Sequence, residues 1–135
     1  MKKFEFLKHT GDLKFQAHGK NLNEMFENCV LAVSSVFSRG KKIKDLRMKK
    51  ISVSGKDYES LLYEFIDEII YLFDASGFVA SRAEVKIEDK TIHAEIYGDD
   101  TSNYDNLDAI KAPTYSEMYV KKKNDTWECQ VVLDV

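Results

Sequence analysis

The stretch DYESLLYEFIDEIIYLFDASG, residues 57–77, decides how the rest of the chain is read. Leu61, Leu62, Phe65, Ile66, Ile69, Ile70 and Phe73 recur at helical spacing and make a broad apolar stripe. Asp57 stands where an N-cap can take a free N–H of the first turn, and Gly77 stands where a helix stops. Glu59, Glu64, Asp67 and Glu68 fall off the stripe and read as a solvated face. A helix patterned this strongly needs an apolar surface to lie on. The longest apolar run, around IIYLF, is far too short to cross a bilayer.

Strands flank this helix. MKKISVSG (48–55) leads into it and closes at Gly55. SRAEVKIED (81–89) and TIHAEIYGD (91–99) follow it as a hairpin turning near Asp89-Lys90. AIKAPTYSEMYVKKK (109–123) and TWECQVVLDV (126–135) form a closing hairpin that turns at Asn124-Asp125. Pro113 has no N–H for a ladder, so it marks an edge strand or a bulge. At the other end, KKFEFLKH (2–9) and DLKFQAHG (12–19) alternate as two strands joined at HTGD, where Gly11 supplies the turn. Asn21 caps an earlier helix carrying Leu22, Met25, Phe26, Cys29, Val33, Val36 and Phe37 on one stripe. Glu24, three residues after the cap, suggests a reciprocal capping box. SRGKK ends this helix, with Gly40 as the stop. The expected fold is α+β, one domain over residues 1–135, with mixed or antiparallel sheets and two main helices packed on them. No repeat is evident.

The bulk numbers exclude several classes. The 135 residues are 44% hydrophobic with one proline and six glycines, which suits a chain with a real core. The net charge of −3 gives no basic surface for gripping nucleic acid. Cys29 and Cys129 sit on apolar faces far from any CxxC pair and read as buried thiols. MKKFEFLKH lacks the apolar segment of a signal peptide, so a soluble, cytoplasmic protein is expected. SGKDYES lacks the spaced glycines of a phosphate loop, and no Cys/His array suits zinc.

Three residues are odd in their setting. Asp12 follows His-Thr-Gly at a tight turn, Lys111 interrupts the apolar run 109–113, and Asp134 stands beside the terminal Val135. On TWECQVVLDV, Trp127, Cys129, Val131, Leu133 and Val135 fall on one face and Glu128, Gln130, Val132 and Asp134 on the other. If the first and last strands meet, the carboxylates of Asp12, Asp134 and Val135 converge, and crowded carboxylates call for a cation or a lysine. Hard oxygen donors favour Ca²⁺ or Mg²⁺. The acidic run with Asp99, Asp100, Asp105 and Asp108 is a rival site but lacks EF-hand spacing, and it reads as a mobile polar loop. His9, near Asp12, can contribute through a hydrogen bond. His18 and His93 read as ordinary strand residues.

Four segments, in order, resemble the archease family. They are KHTGDLKFQAHGKNLNEMFENCVLAVSSVF (8–37), VSGKDYESLLYEFIDEIIYLFDASGF (53–78), IKAPTY (110–115) and VVLDV (131–135). The resemblance implies an accessory protein rather than an enzyme. Such a protein promotes guanylylation and multiple turnover of an RtcB-type RNA ligase in tRNA splicing, and touches tRNA only through that ligase. It implies a divalent cation, Ca²⁺ first and Mg²⁺ or Mn²⁺ as alternatives, on Asp12, Asp134 and the Val135 carboxylate. It makes Lys111 the lysine of activation, with His9 as a further partner-facing residue. The family's Thr-Tyr-His strand here reads Thr114-Tyr115-Ser116, and the family histidine before Lys111 is absent. Two rival readings stand beside this one. One is a metal-dependent enzyme acting on a phosphorylated small molecule. The other is a general chaperone-like or RNA-modification accessory protein.

Overall fold

The computed structural model describes residues 1–135. In chain order the elements are β1 (Phe4–Leu7), β2 (Leu13–Gly19), α1 (Leu22–Ser38), β3 (Arg47–Ser54), α2 (Tyr58–Ser76), β4 (Phe78–Glu88), β5 (Thr91–Asp100), β6 (Ala112–Lys123) and β7 (Thr126–Asp134). One sheet has the order β1-β2-β7-β6 and the other β3-β5-β4, and every pairing is antiparallel. The fold is therefore α+β with two antiparallel sheets and no parallel pair.

The topology carries a repeat that the sequence does not show. Strand, helix, strand, strand occurs twice, as β3-α2-β4-β5 and, wrapped around it in sequence, as β2-α1-β6-β7. Both units order their strands first, third, second. The joints match too: Gly19-Lys20-Asn21 and Gly55-Lys56-Asp57 each lead from a strand into a cap. A Cβ on Gly19 would lie 2.3 Å from the Met25 nitrogen, and one on Gly55 would lie 2.5 Å from the Leu61 nitrogen. Only glycine lets each strand pass so close to the helix it feeds. The repeat escapes a sequence scan because it survives in geometry, in two glycines and two caps, and hardly in side chains.

Each helix start is satisfied locally. Asp57 accepts from the Ser60 N–H while the Ser60 hydroxyl takes the Asp57 N–H, a complete capping box. Asn21 accepts from Glu24 N, but the Glu24 carboxylate takes the N–H of Lys20 instead of Asn21, so the expected reciprocal box is displaced by one residue. The Asp89-Lys90 turn has positive φ at both residues, 48° and 60°, as a primed two-residue hairpin turn requires.

The helices bury their stripes in one core with both sheets. Phe15, Phe26, Phe37, Phe65 and Phe78 are its largest members, and Phe26 meets Phe65 at 5.8 Å between ring centres. Polar atoms on the helices also close open sheet edges. Glu27 and Asn23 of α1 accept from Val85 N and Ile87 N of β4, and Glu59 of α2 accepts from Val120 N of β6. Glu59 is thus no part of a purely solvated face. Exposed edges pair with other chains unless they are covered. No helix is long and apolar enough to cross a membrane.

Pro113 lies on the edge strand β6, directly before a large bulge. Thr114 pairs with Val132 and Tyr119 with Gln130, so Tyr115–Met118 stand opposite Val131 alone. Glu117 takes φ 55° there. Cys29 and Cys129 are both buried, with their sulfurs 3.2 Å apart between α1 and β7.

Candidate functional site

The site grows from the pairing of β2 with β7. Leu13 faces Leu133 as the last pair of the β2–β7 ladder, and Asp12 and Asp134 each stand one residue beyond that pair, at the same end of the sheet. Opposite residues of an antiparallel pair share a face. Leu13, Phe15 and Ala17 pack toward the core with Leu133, Val131 and Cys129, so Asp134, next to Leu133 on β7, falls on the outer face, and Asp12 leads into β2 at the same end. On the other side of β7, Ala112 pairs with Asp134, and the Lys111 N–H donates to the Asp134 carbonyl at 2.8 Å. Lys111 is exposed directly beside the acids. No hydrogen bond or ion pair joins the side chains of Asp12, Asp134 and Lys111. Val135, which alternation puts on the same face as Leu133, is 42% exposed.

His9 is brought to Asp12 from the β1–β2 turn. Its Nε2 donates to the Glu117 carboxylate at 2.8 Å, and its Nδ1 lies 3.9 Å from the Asp12 carboxylate. That Nδ1 is buried and has no hydrogen-bond partner, which costs about 1–3 kcal/mol for a polar atom. Glu117 also takes a hydrogen bond from Lys14 at 3.4 Å, and its carbonyl accepts from Gln130 Nε2 at 2.9 Å. The bulge therefore folds back over the outer face. The His9 hydrogen bond, then the Lys14 ammonium, hold the Glu117 carboxyl below the ordinary glutamate range.

Further along this face lies a largely covered polar network. Glu128 is only 8% exposed and Val132 is buried. The Tyr119 hydroxyl donates to Glu128 at 2.6 Å, and Gln16 bonds both Tyr119 and Gln130. Burial by itself pushes the Glu128 carboxyl up, but the Tyr119 hydroxyl and the charges of Lys123, His18 and Lys121 outweigh it and hold it low. Burial, then Glu128, push the Tyr119 hydroxyl strongly up, so it stays a donor. His18 is thus tied into this network at 3.5 Å from Glu128.

The acidic run 99–108 is occupied otherwise. Asp99 is buried and accepts from Tyr104, Asn103 and the Asp100 N–H. Asp100 pairs with Arg47, and Asp108 with Arg39. This run is laid against the body by its own hydrogen bonds, which corrects the expected mobile loop and engages Asp99, Asp100 and Asp108, three of the four acids of the rival cation site.

The chemistry of the donors at the Asp12 end fits a divalent cation: one carboxylate at the end of β7, another just before the neighbouring β2, and an orphaned buried nitrogen beside the latter. No three or more His, Cys, Asp or Glu side chains are already gathered as a metal cluster. Glu117 is the residue of this site that sequence reasoning missed. Only the bulge brings it to His9, and Pro113 was the one hint of a bulge.

Comparison with known proteins places the chain among relatives. The profile described as the Archease protein family (MTH1598/TM1083) matches residues 4–135. The protein archease of Sulfurisphaera tokodaii is 33% identical, with all of both chains covered. The protein archease of Methanosarcina barkeri is 36% identical, covering 99% of this chain and 97% of that one. The solution structure of protein 1598 of Methanobacterium thermoautotrophicum matches with a TM-score of 0.77 and 26% identity, with all of both chains covered.

Proposed function

This chain belongs to the archease family, and from that premise we propose that it is an accessory protein of an RtcB-type RNA ligase. It acts in the cytoplasm, promotes guanylylation of the ligase in tRNA splicing and lets the ligase turn over repeatedly. It meets tRNA only through that partner. The observation that supports this reading is the β2–β7 pairing that ends at Leu13 and Leu133 and so brings Asp12 and Asp134 to one end of the sheet, with Lys111 bonded to the Asp134 backbone beside them.

Asp12, Asp134 and the Val135 carboxylate are the groups that hold a divalent cation, Ca²⁺ before Mg²⁺ or Mn²⁺ for oxygen donors. Such an ion, when bound, supplies positive charge against phosphate oxygens. The chain's own residues do the rest. Leu133, buried in the core, and its partner Leu13, half-buried against it, fix the backbone that leads to the two acids. Lys111 has a side chain free to reach a phosphate, or to restrain the carboxylates when no ion is bound. Help of this kind is positioning and electrostatics, which is most of what phosphoryl-type transfer asks of a protein.

The test is a ligase-turnover assay with Asp12→Ala, Lys111→Ala and Asp134→Ala. Each folded variant is expected to lose stimulation. Stimulation equal to the parent by all three overturns the assignment.

A further inference from the structure

We propose that His9 is itself a donor to this cation through Nδ1, and that Glu117 is the positioning residue that makes it one. The inference rests on the cation reading above and extends it to a nitrogen ligand.

The geometry gives each ring nitrogen one role. A carboxylate can only accept, so the 2.8 Å bond to Glu117 places the shared proton on His9 Nε2. In the neutral ring that leaves a lone pair on Nδ1. This atom is buried, without a partner, and 3.9 Å from an Asp12 oxygen. Two electron-rich atoms therefore face each other across a gap too long for a hydrogen bond and short enough for both to reach one ion. An orphaned buried polar atom of this kind calls for a missing ion or water. Histidines that bind metals nearly always give their other N–H to a carboxylate, as His9 does.

The placement of Glu117 is otherwise hard to explain. Its backbone sits at φ 55°, a region that non-glycine residues avoid, inside a bulge that interrupts the β6–β7 pairing. That bulge is pinned by Gln130 and delivers the carboxylate to His9 and Lys14 across the sheet. Strain retained at such a point marks a site that uses it. Ion binding then has to draw Asp134 toward the His9–Asp12 pair, since no three side chains are gathered beforehand.

Ca²⁺, Mg²⁺ and Mn²⁺ all favour oxygen donors, so His9 would be the one nitrogen in a set otherwise made of oxygens, and Mn²⁺ is the ion of the three whose electron spin reports a bound nitrogen. The experiment loads the purified protein with Mn²⁺ alone and records pulsed EPR for a directly bound ¹⁴N, with a titration of Mn²⁺ in parallel. The expected result is nitrogen modulation in the parent that disappears in His9→Gln. Glu117→Ala is expected to weaken Mn²⁺ binding about 10–100-fold, the usual effect of losing an outer partner. Glu117→Gln, whose amide oxygen still accepts, is expected to recover much of it. Bound Mn²⁺ with no nitrogen modulation, or modulation that survives His9→Gln, overturns this inference and leaves the carboxylate site standing. No Mn²⁺ binding at all overturns both.

Discussion

Removing one acid of the Asp12–Asp134 pair should make the cation-free protein more stable. The two residues stand one position beyond the last β2–β7 pair, Leu13 with Leu133. Continuing that pairing by one step would put their Cβ atoms about 4.5–5.5 Å apart, and like charges placed so destabilise a sheet by roughly 0.2–1 kcal/mol. Coulomb's law agrees: two unit charges about 5 Å apart in a water-like medium repel by about 0.8 kcal/mol. For a chain of 135 residues the unfolding entropy at the midpoint is about 0.28 kcal/mol/K, so this repulsion is worth about 1–3 °C in Tm. Asp134→Asn keeps the size of the side chain and removes the charge. Differential scanning calorimetry in EDTA at low salt should show the variant melting about 1–3 °C above the parent. In about 1 M salt, where the screening length is about 3 Å, the gain should vanish. With Ca²⁺ in place of EDTA the order should reverse, because only the parent gains RT ln(1 + [L]/Kd) from a tight site. A variant that melts no higher than the parent in EDTA refutes the apposition of the two charges. A variant that keeps the full Ca²⁺ upshift refutes Asp134 as a ligand.

Gly55→Ala should cost about 2–4 kcal/mol in urea denaturation, since its Cβ would overlap backbone that cannot rotate away and would disturb the cap of α2. Gly11→Ala, where a Cβ meets nothing within 4 Å but φ is 79°, should cost only about 1–2 kcal/mol, and equal losses would discredit the close-approach argument. Glu128 contributes stability that is fully present above the unfolded glutamate pKa of about 4.3 and fades as pH falls through the lower folded value. The urea midpoint of Glu128→Gln should therefore fall less steeply than the parent's below about pH 4.3, and parallel curves would remove Glu128 from the acid transition. Both thiols are buried, so Ellman's reagent should find none in the native protein and two in guanidinium; fast native labelling would contradict the placement of Cys29 and Cys129.

The elements were legible because their signals are local. The stripe from Leu61 to Phe73, the caps at Asn21 and Asp57, and the turns at Asp89-Lys90 and Asn124-Asp125 all act within a few residues. Buried Phe15, Cys129, Val131 and Leu133 followed from period-2 alternation. What alternation could not reveal is a second layer. It assigns a side chain to a face but not to water, so it cannot tell that the bulge and the Tyr119 network cover Glu128 and Val132. The acids of 99–108 looked loose because their partners, Arg47 and Arg39, are remote in sequence. Asp12 and Asp134 could be suspected as a pair from their composition and positions. Glu117 could not, because nothing near it in sequence says that the strand bulges by so much.

The nesting of one strand–helix–strand–strand unit inside the other also sets a timetable for folding. Residues 47–100 contain every strand of the three-stranded sheet, so that sheet needs only nearby partners. The four-stranded sheet cannot join β2 to β6 until β7 arrives between them, across a far longer closed loop. Pairings of high sequence separation form slowly and late. Asp12 and Asp134, widely separated in sequence, are brought to one end of the sheet only when that last pairing closes. A half-folded chain therefore carries the acids without the site, and the capacity to hold an ion there arises with the final act of assembly.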